Sequence, residues 1–303
     1  MLRRLTSLFC LSLLLGGCAP MLEIDASHSS ANHDSRVQYV IVHYTSSGFD
    51  RALMHLTRGE VSSHYLISEQ PTIYRLVDEN RRAWHTGDSS WQGRTWLNAS
   101  SIGIEIVHPG YTDTAQGRIW HPWPREQIEA LIPLLQDILR RHQLTPDRVL
   151  GHSDVAPQRK VDPGPLFPWQ QLAEAGVAIW PEAAVVTRYR QVLAGRTPPP
   201  QWFEMALQTF GYRLEISPGA PPAARKKARQ NVIAAFQMRF RPARHDGVAD
   251  AETAAILAAL VPATTTTSLW CIPVASASPV VATSVLPTSG ALPACSAAET
   301  GAD

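Results

Sequence analysis

Histidine is the side chain to start from, because eleven are spread over 303 residues and few sit where a rigid element could aim them. His43 closes the apolar run Val40-Ile41-Val42, and a strand that ends in a histidine can hold the ring in one orientation. His152 lies in Gly151-His152-Ser153-Asp154, ten residues ahead of Asp162 in Lys160-Val161-Asp162-Pro163-Gly164. Two imidazoles and one carboxylate form a common catalytic zinc set that leaves a fourth position for water. Zinc so held acidifies water and polarises a carbonyl oxygen, which is hydrolytic chemistry. As spacing alone this remains one candidate set, since a lone histidine is more often a packed or surface residue than a ligand. Glu105, in Ser101-Ile102-Gly103-Ile104-Glu105, reads either as a solvated carboxylate on an open strand face or as a proton shuttle. No cysteine occurs from residue 19 to residue 270, which excludes thiol nucleophiles and thiolate ligands there. The absence of a His-Glu-x-x-His pattern argues against a peptidase of that type.

The elements that would position these residues follow from periodicity. Val37, Tyr39 and Ile41 alternate with Gln38, Val40 and Val42, a strand pattern leading into His43. Asp50 is placed to cap a helix over 51–58, and strands are expected at 65–68 and 72–77. Residues 78–98, rich in Trp, Gly and Ser, read as a long surface loop. Ile102, Ile104 and Ile106 then mark a strand with Glu105 on the opposite face. Ile128, Leu131, Leu135, Ile138 and Leu139 predict an amphipathic helix over 125–142, kinked at Pro133. A short strand at 148–150 leads to His152, so strands interleaved with helices predict an α/β domain over 37–180. Residues 181–200, ending in three prolines, read as a stiff linker. Over 201–261 the stripe Phe203, Ala206, Leu207, Phe210, the stripe Val232, Ala235, Phe236, Phe240 and a helix capped by Asp250 predict a small three-helix domain. The remainder, 262–303, is Ala, Thr, Ser and Pro and reads as disordered.

Composition sets outer limits. A net charge of +1 with 17% charged residues gives no global sign of nucleic-acid binding. Arg3, Arg4 and the apolar run Leu5–Leu15 have the form of a signal peptide, 1–17, too short to span a bilayer permanently. It ends in Leu15-Gly16-Gly17-Cys18, which resembles the lipobox of bacterial lipoproteins. That implies an acylated Cys18, a tether over 18–36 and a membrane anchor. Ala19 in place of Asp implies, by likeness to Gram-negative lipoproteins, the inner leaflet of the outer membrane, facing the periplasm. Cys271 and Cys295 would remain as a possible disulfide.

Four segments carry a family resemblance: Val40-Ile41-Val42-His43-Tyr44-Thr45, Arg82-Ala83-Trp84-His85-Thr86-Gly87, Ser101 to Glu105, and Gly151 through Lys160. In this order they resemble the type-2 N-acetylmuramoyl-L-alanine amidases, most of all the lipid-anchored enterobacterial members. The resemblance covers roughly residues 36–180 and implies a mixed central sheet flanked by helices. Ala234-Ala235-Phe236-Gln237, Asp246-Gly247 and Asp250 resemble the three-helix peptidoglycan-binding domain. The resemblance makes His43, His152 and Asp162 the ligands of one zinc ion. It makes Glu105 the general base that later protonates the leaving amine, and Lys160, rather than Arg159, the cation that stabilises the oxyanion. The substrate it implies is peptidoglycan or muropeptides, cut between N-acetylmuramic acid and L-alanine. Nothing in the sequence suggests more than a monomer. Trp84, His85 and Asn98 are candidates to line a substrate groove, with His64 a further candidate, and His28, His33, His121 and His245 read as exposed. The competing reading is a peptidoglycan-binding lipoprotein without activity, which in this family goes with lost ligands.

Overall fold

A computed structural model describes residues 24–266. The sequence patterns at the signal segment, Cys18, Cys271 and Cys295, and most of the low-complexity tail, lie outside the described residues. Residues 24–34 carry no regular element, and 35–266 belong to one compact unit.

In chain order the elements begin with β1 (Tyr39–Tyr44), α1 (Phe49–Arg58), β2 (Tyr65–Ile67) and β3 (Ile73–Arg75). A small hairpin, β4 (Ser90–Trp91) and β5 (Arg94–Thr95), leads through a 3-10 turn into β6 (Ser101–Ile106). A second hairpin, β7 (Tyr111–Thr114) and β8 (Gly117–Trp120), precedes the long helix α2 (Arg125–His142). Then come β9 (Val149–Gly151), α3 (His152–Val155) and α4 (Trp169–Glu174). The C-terminal helices are α5 (Ala183–Leu193), α6 (Pro200–Phe210), α7 (Pro222–Phe240), α8 (Ala251–Ala258) and the single turn α9 (Ala263–Thr266).

Five strands form one mixed sheet in the order β3-β2-β6-β1-β9. β1 is parallel to both β6 and β9, and only the edge strand β3 runs antiparallel. All six residues of β1 are buried, as expected for a central parallel strand covered on both faces. Val40 and Val42 pack with Ile102, Ile104, Ile106 and the α2 residues Ile128, Leu131 and Leu135. Tyr39 and Ile41 belong to a second cluster with Leu150, Trp91 and the apolar residues of α5 to α8. The C-terminal helices therefore complete the core of the sheet.

Several sequence expectations change. Residues 181–200 are not a linker: α5 occupies most of them, with Val186 and Leu193 buried one above the other two turns apart. The proline run masks that stripe, because Pro200 opens α6, where its missing N–H costs nothing. Residues 78–98 are not a surface loop, since Ala83, Thr86, Trp91 and Leu97 are buried. Asp50 lies in the first turn of α1 and Gly48 takes the cap position. Asp250 does cap α8, accepting from Thr253 N at 2.8 Å. The stretch read as disordered from 262 begins with α9.

Candidate metal centre

β1 and β6 run in parallel register with His43 directly beside Glu105, so both side chains emerge at one end of the sheet. β9, on the other side of β1, stops at Gly151 and hands the chain to His152 at the start of α3. Asp162 returns beside it, its backbone carbonyl accepting from Ser153 N at 2.8 Å. The result is a buried triad. His43 Nδ1 lies 2.9 Å from His152 Nδ1 and 3.2 Å from Asp162 Oδ2, and His152 Nδ1 lies 3.0 Å from the same oxygen. Ligands about 2.0–2.1 Å from a tetrahedral zinc are about 3.3 Å apart, so the three donors need little movement to receive one. A divalent metal fits this donor set.

The second nitrogen of each imidazole is committed in a way that leaves Nδ1 free to ligate. His152 Nε2 donates to Thr86 O at 3.1 Å. For His43 the assignment runs through three groups. Ser101 Oγ donates to Leu97 O at 2.7 Å, so it accepts from His85 Nε2 at 3.1 Å. His85 Nδ1 then accepts from His43 Nε2 at 3.0 Å, leaving the His43 Nδ1 lone pair for a metal. Gly103 admits the His85 ring, since a Cβ there would lie 2.5 Å from its Cγ.

Electrostatics favour a neutral His43 and an ionised Asp162. Burial, then the neighbouring His152, pushes the His43 pKa down to about 4. Burial alone would raise Asp162, but the adjacent His152 and His43 hold it well below the usual carboxylate range. Glu105 goes the other way: burial and the Asp162 charge push it up to about 8, opposed by Lys160. Its Oε2 is buried without a hydrogen-bond partner among the described residues. Unsatisfied buried polar atoms are uncommon, and one beside a ligand triad marks a place where a reacting group can dock.

Glu105 and the triad open on a pocket of about 320 Å³ that Lys160, Trp84 and His85 also line. Arg159 and Lys160 separate cleanly. Arg159 turns away to donate to Thr86 O and Asp88 O at 2.6 and 2.7 Å, while Lys160 faces the pocket. Trp84 is 50% exposed, with the Arg82 guanidinium 4.1 Å from its ring centre. Two substrate candidates move inward. His64 is 0% exposed, its Nδ1 accepting from Gly103 N at 2.9 Å and its Nε2 bonding Arg81 O, because it pins β6 to the preceding loop. Asn98 is likewise buried; its Oδ1 accepts from His85 N, Thr86 N and Thr86 Oγ1, fixing the loop that bears the pocket residues. His85 lines the pocket, yet both its nitrogens are spent on His43 and Ser101. His28 and His33 are exposed, whereas His121 and His245 are half-buried. Sequence reasoning passed over Thr45, Leu56 and Val61 as pocket walls. Leu56 and Val61 come from α1 and the turn after it, where nothing in the local pattern marks them, whereas Thr45 ends one of the quoted motifs. Thr86 and Ser101 lay within the quoted motifs and were findable there.

The family model for N-acetylmuramoyl-L-alanine amidase matches residues 33–165. The chain is 41% identical over 277 residues to N-acetylmuramoyl-L-alanine amidase AmiD of Escherichia coli K12, covering 86% of this chain and 98% of that protein. It is 39% identical over 111 residues to 1,6-anhydro-N-acetylmuramyl-L-alanine amidase AmpD of Enterobacter cloacae, a match spanning 37% of this chain and 54% of that one. Among solved structures, E. coli AmiD complexed with anhydro-N-acetylmuramic acid-L-Ala-D-gamma-Glu-L-Lys superposes with a TM-score of 0.71 at 42% identity, covering 78% of this chain and 93% of that one. AmpDh3 of Pseudomonas aeruginosa gives 0.72 at 39% identity, covering 79% and 98%. With the triad, Glu105 and Lys160 assembled on the matched segment and similarity running nearly the full length of a relative, the chain belongs to the N-acetylmuramoyl-L-alanine amidase family.

Proposed function

We infer that this chain hydrolyses the amide between N-acetylmuramic acid, or its 1,6-anhydro form, and L-alanine in peptidoglycan or its fragments, in cell-wall turnover. The observation that carries the reading is the convergence in one pocket of three buried ligand residues, a carboxylate whose Oε2 has no partner among the described residues, and a lysine. Relatives solved with anhydromuramic peptides support the substrate class.

His43, His152 and Asp162 would hold the metal, and neutral nitrogen with carboxylate oxygen favours zinc among the available cations. Bound there, zinc would polarise the scissile carbonyl, acidify water and draw Glu105 back towards the usual carboxylate range. Glu105, held by β6 beside His43, takes the proton of the attacking water and delivers it to the leaving nitrogen. That delivery matters because an unprotonated amide nitrogen leaves poorly. Lys160 places a positive charge in the same pocket, where it stabilises the oxyanion of the tetrahedral intermediate. Trp84 offers an exposed aromatic face to the sugar or peptide at the rim.

The test is to incubate the protein with purified sacculi before and after chelation and to weigh the products. Free stem peptides, lost on chelation and restored by zinc, are expected. Shortened stems still joined to sugar would point to a different hydrolase, and protein that sediments with sacculi without releasing peptide would point to a binding module.

The cellular setting belongs to the same reading: an acylated Cys18 anchors a monomer to the outer membrane, facing the periplasm. Among the described residues no helix is long and apolar enough to cross a membrane. Cys18→Ala should move the protein from the membrane to the soluble fraction. We read residues 201–261 as a peptidoglycan-binding-like segment, built onto the catalytic sheet rather than joined to it by a spacer.

A further inference from the structure

The turn that carries His152 is held from outside the α/β core. Asp154 is 1% exposed, and its carboxylate receives three hydrogen bonds. Oδ2 accepts from Gly151 N at 2.8 Å and from Arg239 Nη1 at 2.6 Å. Oδ1 accepts from the Tyr212 hydroxyl at 2.5 Å. The first bond closes the turn on which His152 sits; the other two donors come from the C-terminal helical segment. Arg239, on α7, is itself 2% exposed and sends its second amino group to Val149 O at 3.1 Å, at the head of β9. Its guanidinium lies 4.1 Å from the centre of the Trp169 ring. One side chain thus clamps the chain on both sides of His152.

Tyr212 is equally fixed. Its ring meets Trp91 edge-on at 5.0 Å, and the preceding Gly211 leaves room for that contact, since a Cβ there would lie 2.6 Å from the Trp91 ring. A helix of four residues has little stability of its own, so the position of α3 depends on what grips it. A buried carboxylate that loses one partner is strongly destabilised and moves or recruits water. Metal ligands tolerate displacements of only about 0.2 Å.

We propose that Arg239 and Tyr212 are positioning residues for the metal centre, holding Asp154 and through it the turn that presents His152; the inference rests on the metal reading above. It gives the C-terminal helices a part in the chemistry beyond any contact with peptidoglycan.

The experiment measures zinc affinity of the full chain by competition with a chromophoric chelator, together with thermal unfolding of the zinc-free protein. Tyr212→Phe removes one hydroxyl from a ring that stays packed, and it should weaken zinc binding about 10-fold, the usual lower effect of losing an outer partner of a ligand. Arg239→Met should weaken it at least as much, and Arg239→Lys should recover part of the loss because it keeps the charge without the fork. If Arg239→Met does not fold, Tyr212→Phe still decides. Arg241→Met breaks the pairing with Asp250 and Glu252 in the same helical segment, and should lower the unfolding temperature while leaving zinc affinity unchanged. Wild-type affinity in Tyr212→Phe, or an equal loss in Arg241→Met, would overturn the proposal. A wild-type chain that binds no zinc would instead refute the metal reading itself.

Discussion

Replacing Glu105 by Gln should move activity and stability in opposite directions. The carboxylate is in register with His43 and faces the triad, and its Oε2 has no partner among the described residues. Folding therefore holds a charge in a poor place. With the pKa raised from 4.5 to about 8, chiefly by burial and then by Asp162, ionised Glu105 at pH 8 costs the metal-free fold at most about 5 kcal/mol. The group opens on the pocket, which screens part of that, so roughly 2 kcal/mol is a fairer figure. The sign follows from linkage: an acid whose folded pKa is raised contributes full stability below its unfolded value of 4.5 and loses it as pH climbs towards 8. Glu105→Gln in the metal-free state should thus unfold about 4–8 °C higher at pH 8, for a unit of this size, and match wild type near pH 4.5. Activity should fall about 10²–10⁴-fold, the loss expected when a positioned proton shuttle is removed. The assay is paired: thermal unfolding with chelator across pH, and release of stem peptides from sacculi. A Glu105→Gln protein no more stable than wild type at pH 8, or one that retains activity, would refute the reasoning.

Lys160→Met should lower kcat about 10²–10³-fold with little change in KM, and Arg159→Met, whose side chain holds loop carbonyls, should cost less kcat; steady-state kinetics on a muropeptide separates the two. Ser101→Ala leaves His85 Nε2 without its acceptor and should weaken zinc affinity about 10-fold by loosening the His43 tautomer, as chelator competition would read. An unchanged affinity would remove the His85 chain from the design of the site. Glu79 ties Tyr65 of β2 to Arg141 and His142 at the end of α2. Although burial alone would raise its pKa, bonds from Arg141, Tyr65 and His142 hold it at about 2. Its contribution is present above the unfolded value of 4.5 and is lost as pH falls towards 2. Glu79→Gln should therefore cost roughly 1–3 kcal/mol in urea unfolding at pH 7, a gap that narrows below pH 4.5.

The sequence by itself determined which chemistry was possible. Cysteine is missing from the whole catalytic stretch, so ligands had to be His, Asp or Glu. The period-2 run into His43 and the period-3.6 run over 125–142 were legible because each element buries a face, and burial imposes its own spacing. The motifs around His43, Glu105 and His152 carried the family. What a linear pattern could not carry was direction. His64, His85 and Asn98 have the composition of a binding groove, but their atoms are consumed by Gly103, His43, Ser101 and Thr86, partners brought in by the fold from other segments. Neighbouring Arg159 and Lys160 are equal as cations in sequence; only the carbonyls of Thr86 and Asp88 decide that one is an anchor and the other faces the pocket. The segment over 181–200 shows the same limit. Its prolines suggested a spacer, yet Val186 and Leu193 find a shared core with Tyr39 and Ile41. Local sequence sets which groups are available and how each element repeats, whereas hydrogen bonds and burial between segments far apart in the chain are properties of the folded state alone, and those contacts turn a set of candidate ligands into a site.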